Sequence, residues 1–333
     1  MKSINVIVQL TSICNWRCTV CAVSVLDDLV LENMPDDVFD KVLQDLKKFD
    51  NPRIQLGGYT GEPTLSPKFA EQVNTLKAHF PENVIGMHTN GSTLSKEMLQ
   101  NVPEDMVILL SCLGGKSHYE SFTGKTWEYF LNLCDILTTH HPLPFSNWVY
   151  ITTNNQHNMS DTIKDLRQYT NLYGISNPLF GAPDFNEYQP YKNNIKYSDV
   201  NVSDSKNLEI ISMRGNYIRA NRGDLIDNPL YHKYKKIIPT FVVPDVNTTC
   251  ITPATHIFVR TNGRVEMCCE YSDRKHVDML HSNIMDHSLY EIFHSDEWNK
   301  LRTRLEKNIP GCQFCAVHCK RRFDPNIPKE LYL

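Results

Sequence analysis

Residues 4–21 read INVIVQLTSICNWRCTVC. The apolar run from Ile4 to Leu10 reads as a buried strand. Three cysteines follow it, Cys14, Cys18 and Cys21, with three and then two residues between them. Three thiols are an odd number for disulfides and one short of a closed structural zinc site. Thiolates ligate zinc, copper(I) and iron–sulfur clusters. A cubane cluster takes four cysteines as a rule, so a loop that offers three would hold three irons and leave the fourth open to an outside ligand.

Downstream of that loop, strand-like and helix-like stretches alternate. Pro35 to Phe49 has helical spacing, with Val38, Phe39, Val42, Leu43, Leu46 and Phe49 on one face and Asp36 and Asp37 suited to the first turn. RIQLGG (53–58) is a second strand, Pro67 to Phe80 a second helix, NVIGMHTNG (83–91) a third strand and DMVILLSCLGG (105–115) a fourth. A helix starts near Thr126, and NWVYITTN (147–154) is a fifth strand. Ser160 caps a helix ending at Gly174, and SNPLFGAP (176–183) is a sixth strand. Such alternation means a parallel sheet with helical crossovers. The predicted fold is α/β, a partial (β/α)6 TIM-like barrel, with chemistry at the C-terminal ends of the strands. Residues 184–248 lose this periodicity and read as an irregular connection, substrate-facing in expectation. From Thr255 a hairpin turns at Thr261-Asn262-Gly263, and Ser288 with Glu291 forms a capping box. The expected domains are 1–183, 184–248 and 249–333.

The chain has 333 residues, enough to bury a full core without crosslinks. Its net charge of −4 offers no general attraction to nucleic acid. No segment approaches the ~20 apolar residues of a membrane span. Asn5 and Gln9 break the N-terminal run, which lacks a signal-peptide core. The expected compartment is the cytoplasm, where thiols stay reduced. Eleven cysteines there call for metal or catalysis before disulfides.

CNWRCTVC (14–21) resembles the C-x3-C-x2-C signature of the radical S-adenosylmethionine (radical SAM) superfamily, and it lies where that family has it, after the first strand. Val20 occupies the usually hydrophobic position before the last cysteine. LGGYTGEPTL (56–65) follows strand two, where the family has Gly-Gly-Glu; Thr60, Gly61 and Glu62 match it, although the "YT" departs from the pattern. HTNGS (88–92) resembles the family's TNG turn, and LLSCLGG (109–115) its S-x-D-G segment with Leu113 where Asp is usual. The resemblance implies that the open iron binds the amine and carboxylate of SAM. It further implies that an electron from the cluster cleaves SAM to methionine and a 5′-deoxyadenosyl radical, which abstracts a substrate hydrogen atom. Glu62 would accept a hydrogen bond from the SAM ammonium, with Asn90 and Ser111 as candidates for the methionine moiety or the ribose. Cys112, beside Ser111, is a candidate hydrogen donor; a buried small hydrophobe is the plainer account of it. Cys134 lies on an apolar helix face and reads as core.

A second set starts at Cys250, followed after twelve residues by Gly263 and after four more by Cys268. This resembles the opening of the SPASM and twitch domains, C-terminal extensions that carry auxiliary clusters. CQFCAVHC then supplies Cys312, Cys315 and Cys319. The resemblance implies one auxiliary 4Fe–4S cluster, hence two 4Fe–4S clusters in all, ligated by Cys250, Cys268, Cys312 and Cys315, with Cys319 as the alternative to Cys315 and Cys269 as a spare. A zinc knuckle on the same four thiolates stays open at this point.

The family implies how a radical is made, not what it attacks. Modification of a peptide or amino-acid residue is one expectation; oxidation or epimerisation of a sugar, an aminocyclitol or another small metabolite, as in twitch enzymes, is the alternative. No room is left for a leader-binding domain before residue 4 or after 319, which counts against the peptide class without excluding it. The expected electron donor is of flavodoxin or ferredoxin type. A zinc-stabilised binding protein without catalysis is the reading from another class, with His88 or His118 available to complete a site. His140 and His141 read as loop surface, and Arg214, Arg219, Arg222 and Asp224 as a charged or substrate-facing loop.

Overall fold

The computed structural model describes residues 4–19, 21–25, 30–57, 60–143, 146–152, 161–162, 164–166, 168–169, 172–176, 210–212, 256–267 and 282–306. Seven parallel strands stand side by side in chain order: β1 (Asn5–Val8), β2 (Arg53–Leu56), β3 (Ile85–Thr89), β4 (Val107–Leu113), β5 (Asn147–Thr152), β6 (Tyr173–Ser176) and β7 (Ile210–Ser212). On the far side of β1, β8 (His256–Val259) adds in parallel, with Asn5 opposite His256. β9 (Arg264–Glu266) and β10 (Ser282–Asn283) then extend the sheet antiparallel.

Helices among the described residues include α1 (Ala22–Val25), α2 (Asp36–Leu46), α3 (Phe69–His79), α4 (Lys96–Gln100), α5 (Gly115–Thr123), α6 (Trp127–His140), α7 (Leu289–Phe293) and α8 (Asp296–Glu306). On α2, Val38, Phe39, Val42, Leu43 and Leu46 are all buried, as their spacing predicts. Asp45 on the same helix is buried too. Its carboxylate accepts from Lys41 Nζ and, at 2.8 Å, from the backbone N–H of Leu289, so it serves the first turn of α7 from a distant helix. The capping box of Ser288 and Glu291 is formed as expected.

Successive strand residues face opposite ways. Ile85 and Met87 of β3, Ile108, Leu110 and Cys112 of β4, and Val149 and Ile151 of β5 pack into one core with Phe130, Leu133, Cys134 and Leu137 of α6. The intervening residues, His88, Leu109, Ser111, Trp148 and Tyr150, therefore turn to the other, inner face. His88 and Tyr150 meet there edge-to-face, with ring centroids 4.9 Å apart.

Three expectations are corrected. The sixth strand is Tyr173–Ser176, so Gly174 is not a helix end but part of a strand paired with β5; helical residues precede it at 161–162 and 164–166. Residues 210–212 of the supposed irregular connection form β7, paired with β6. His141, which follows α6, is buried rather than on a loop surface; its Nε2 lies 2.8 Å from the carbonyl of Met106, just before β4. The hairpin stands where predicted. Its turn needs Gly263, whose φ is +80° and whose Cβ would meet Asn283 Oδ1 at 2.7 Å. The expected boundaries at 183/184 and 248/249 lie outside the described residues.

Candidate active site

The chain leaves β1 at Val8 and passes at once into the cysteine loop. Gln9, buried, donates from Nε2 to both the carbonyl (2.8 Å) and Oγ1 (2.7 Å) of Thr60. Residues 10–12 are covered by the returning segment 30–34. Met34 N donates to Leu10 O, Thr11 bridges Asn33, and Ser12 Oγ both donates to Val30 O and accepts from Glu32 N, each at 2.8 Å.

Beyond Ser12 the loop is anchored by Trp16, buried against Tyr119 of α5 and Tyr129 of α6 at centroid distances of 6.5 and 6.2 Å. The Arg17 guanidinium folds back onto the carbonyls of Cys14 (2.7 Å) and Trp16 (2.9 Å). Thr19 N donates to Phe122 O, and Cys21 N to Cys18 O. These ties hold the three thiols near one another. Burial pushes the Cys18 thiol up to about 12, and the neighbouring Cys21 and Cys14 add to the rise. Burial raises Cys14 and Cys21 as well. Among the described residues no three His, Cys, Asp or Glu converge on a position for one ion. In a cubane, each thiolate holds a different iron. Three thiols held close together on one loop are the donor set that such a group takes, since cationic iron offsets the mutual repulsion of their thiolates.

Thr60, Gly61 and Glu62 close over this loop from the end of β2. Gly61 has φ +93°, and a Cβ there would stand 2.0 Å from the carbonyl oxygen of Thr11. No other residue permits that approach. Glu62 N then donates to Ile13 O at 2.8 Å, locking the two loops together. The Glu62 side chain is 2% exposed. Its Oε1 accepts from the hydroxyls of Thr64 (2.6 Å) and Thr89 (2.7 Å), and its Oε2 from the backbone N–H of Asn90 (2.7 Å). Burial pushes its carboxyl up, and these donors oppose the rise.

Asn90, at the end of β3, sits beside Cys14: its Nδ2 is 3.6 Å from Cys14 Sγ and 3.2 Å from Asn15 Oδ1. Ser111, at the end of β4, lies on the inner face opposite Tyr150 of β5. Cys112 does not join them. It is fully buried on the helix side of β4, near Tyr119 and Cys134, and burial holds its thiol strongly protonated. That burial agrees with the plainer account of Cys112, a small buried hydrophobe, because alternation along β4 sends Ser111 inward and its neighbour outward. Val20, Cys250, Cys268, Cys269, Cys312, Cys315 and Cys319 lie outside the described residues, as do Arg214, Arg219, Arg222 and Asp224.

Sequence reasoning missed Gln9, Thr64 and Thr89 as supports of the site. Gln9 carried a signal, since a lone amide at the C-terminal end of an apolar strand needs a buried partner. Thr89 carried one too, as the threonine of the TNG turn, while Thr64 carried none. His88 is a further inner-face group; burial holds its imidazole at about 4, hence neutral near pH 7.

A parallel α/β sheet with three loop thiols at the end of its first strand, closed over by a buried Glu-bearing turn from the second, is a partial barrel with a candidate cluster site at its strand ends. The profile of the radical SAM superfamily matches residues 8–166, and that of an iron–sulfur cluster-binding domain, SPASM, matches residues 250–320. The chain belongs to the radical SAM superfamily of enzymes, and its two domains imply SAM and iron–sulfur clusters as cofactors.

A relative from Pyrococcus furiosus, the tungsten-containing aldehyde ferredoxin oxidoreductase cofactor-modifying protein, is 35% identical over 96 residues, 29% of this chain and 26% of its own length. The match thus spans about a quarter of that relative. Among solved structures, Streptococcus suis SuiB bound to precursor peptide SuiA superimposes with TM-score 0.65 at 12% identity, covering 95% of this chain and 69% of SuiB. The anSMEcpe structure with bound AdoMet gives 0.58 at 17% identity, covering 94% and 87%. These likenesses are likenesses of fold. Among the described residues no helix is long and apolar enough to cross a membrane.

Proposed function

We propose that the chain is a SAM-cleaving radical enzyme that modifies a peptide or amino-acid residue, using one 4Fe–4S cluster at Cys14, Cys18 and Cys21 and an auxiliary 4Fe–4S cluster at Cys250, Cys268, Cys312 and Cys315 or Cys319. The observation that carries the reading is the junction of the cysteine loop, the Thr60-Gly61-Glu62 turn and Asn90 at three adjacent strand ends. When bound, the first cluster supplies the electron that cleaves SAM to methionine and a 5′-deoxyadenosyl radical.

The chain's own residues have positional roles. Trp16 and Arg17 hold the thiols in place, and Gly61 lets the second loop approach without a side chain between. Glu62 supplies negative charge beside Cys14 and fixes the backbone of Asn90. With Oε1 engaged by two hydroxyls, Oε2 is the oxygen left with capacity for a ligand ammonium. Ser111, Tyr150 and His88 share the inner face below the strand ends and are the groups proposed to meet a substrate.

Peptide chemistry is supported by two structures of this fold, SuiB bound to precursor peptide SuiA and anSMEcpe bound to AdoMet and the Cp18Cys peptide. The P. furiosus relative supports a second reading, modification of a cofactor precursor or other small metabolite. A flavodoxin- or ferredoxin-type donor is the proposed reductant. Anaerobic reconstitution followed by dithionite and SAM is the test. Release of 5′-deoxyadenosine, with broad absorbance near about 400 nm and roughly eight irons per chain, supports the reading. A colourless, zinc-loaded chain that leaves SAM intact would sink it.

A further inference from the structure

We infer that Asn90 is a positioning residue for the first cluster, its side-chain amide hydrogen-bonding the Cys14 sulfur and so setting the reduction potential of that cluster. The inference rests on the reading of the cysteine loop as cluster-binding. Asn90 Oδ1 accepts the backbone N–H of Ser92 at 2.8 Å, and that donor cannot be reversed. The orientation of the amide is thereby fixed, with its NH2 group directed away from Ser92. Its two protons face Cys14 Sγ at 3.6 Å and Asn15 Oδ1 at 3.2 Å. The backbone of the same residue is tethered to buried Glu62 at 2.7 Å. Asn90 is therefore held at both ends, and its amide is spent on the protein rather than turned to an outside ligand.

Cys14 is singled out among the three thiols. Its sulfur also accepts the backbone N–H of Trp16 at 3.4 Å, so two donors converge on one sulfur. An N–H···S bond draws charge from a thiolate. It stabilises the more negative, reduced cluster and raises the potential.

The test is a redox titration of the anaerobically reconstituted full-length chain, followed by the electron paramagnetic resonance signal that changes when SAM is added. That signal separates the first cluster from the auxiliary one. Asn90→Ala and the shape-preserving Asn90→Leu are compared with the wild type for iron content, thermal unfolding, SAM affinity and potential. The expected result is unchanged iron content and a potential made more negative. A tenfold fall in the reduced-to-oxidised ratio corresponds to about 59 mV for one electron. An unchanged potential in fully loaded variants overturns the inference. A loss confined to SAM affinity does so as well, since it would make Asn90 a SAM ligand. Failure of both variants to load the first cluster would replace tuning by a folding role and overturn it too. If the wild type itself shows no SAM-responsive signal, the cluster reading fails instead.

Discussion

Thr261 donates a hydrogen bond of 2.6 Å to Glu32 Oε1 across 229 residues of sequence. Thr261 stands in the turn of the β8–β9 hairpin, and Glu32 in the segment that covers the start of the cysteine loop. The same Glu32 offers its backbone N–H and carbonyl to Ser12. The hairpin within the SPASM match and the loop that bears Cys14 thus share one residue.

Removing that bond is expected to loosen the cysteine loop from the far end of the chain. Thr261→Val keeps the shape of the side chain and leaves Glu32 Oε1 short of a donor, at a cost of about 1–2 kcal/mol. Denaturant unfolding measures the loss. Iron retention under a chelator should fall in the same variant if the loop is held by this contact. Unchanged retention would make the contact purely structural.

Cys14→Ala, Cys18→Ala and Cys21→Ala are each expected to lower the iron content from about eight to about four per chain and to abolish 5′-deoxyadenosine formation. Cys112→Ala should do neither. Its sulfur is part of the core, so the expected change is a loss of about 1–2 kcal/mol in stability with SAM cleavage preserved. Loss of cleavage in a folded Cys112→Ala chain would restore that residue to the site.

Gly61→Ala tests the closure of the two loops. The added methyl has to displace the Thr11 carbonyl from 2.0 Å and adopt φ +93°, which costs at least about 1–3 kcal/mol. The expected outcome is a marked loss of SAM affinity, read by calorimetry, at near-normal iron content. Wild-type affinity would mean that this turn does not shape the SAM site.

Acid should weaken the seam between β1 and β8. Asn5 Nδ2 donates to His256 Nε2 at 3.0 Å, so that nitrogen accepts, and burial holds the His256 imidazole at about 4. An unfolded imidazole titrates near about 6.5. Between those values the unfolded chain binds more protons, so stability rises with pH and is lost as pH falls from about 6.5 towards 4. His256→Gln should flatten this slope relative to wild type in denaturant midpoints taken at several pH values. An identical slope would place the acid sensitivity elsewhere, with His88 the next candidate.

Asp45→Asn should destabilise the packing of α7 on α2. The buried carboxylate holds Lys41 and the Leu289 N–H, and breaking a charged, buried contact of this kind costs about 1–3 kcal/mol. The unfolding midpoint of the folded variant measures it.

Much of this was legible in the one-dimensional pattern because it depends on neighbours in the chain. The cysteine spacing, the glycine in the hairpin turn, the Ser288 capping box and the apolar stripe of α2 are local, and local geometry repeats with a fixed period. β6 and β7 were misjudged for the complementary reason. Both stand at the end of the sheet, where a strand is selected by the edge it pairs with rather than by its own composition. The inward or outward sense of Cys112 required the register of β4 against α6. The burial of His141 required Met106. The amide of Asn90 found its sulfur only when the ends of β1 and β3 came within reach of each other. Spacing along a chain names the groups that can do chemistry. Which of them meet is settled by non-local packing, because the free energy of a buried polar contact depends on both partners and the chain alone presents one at a time.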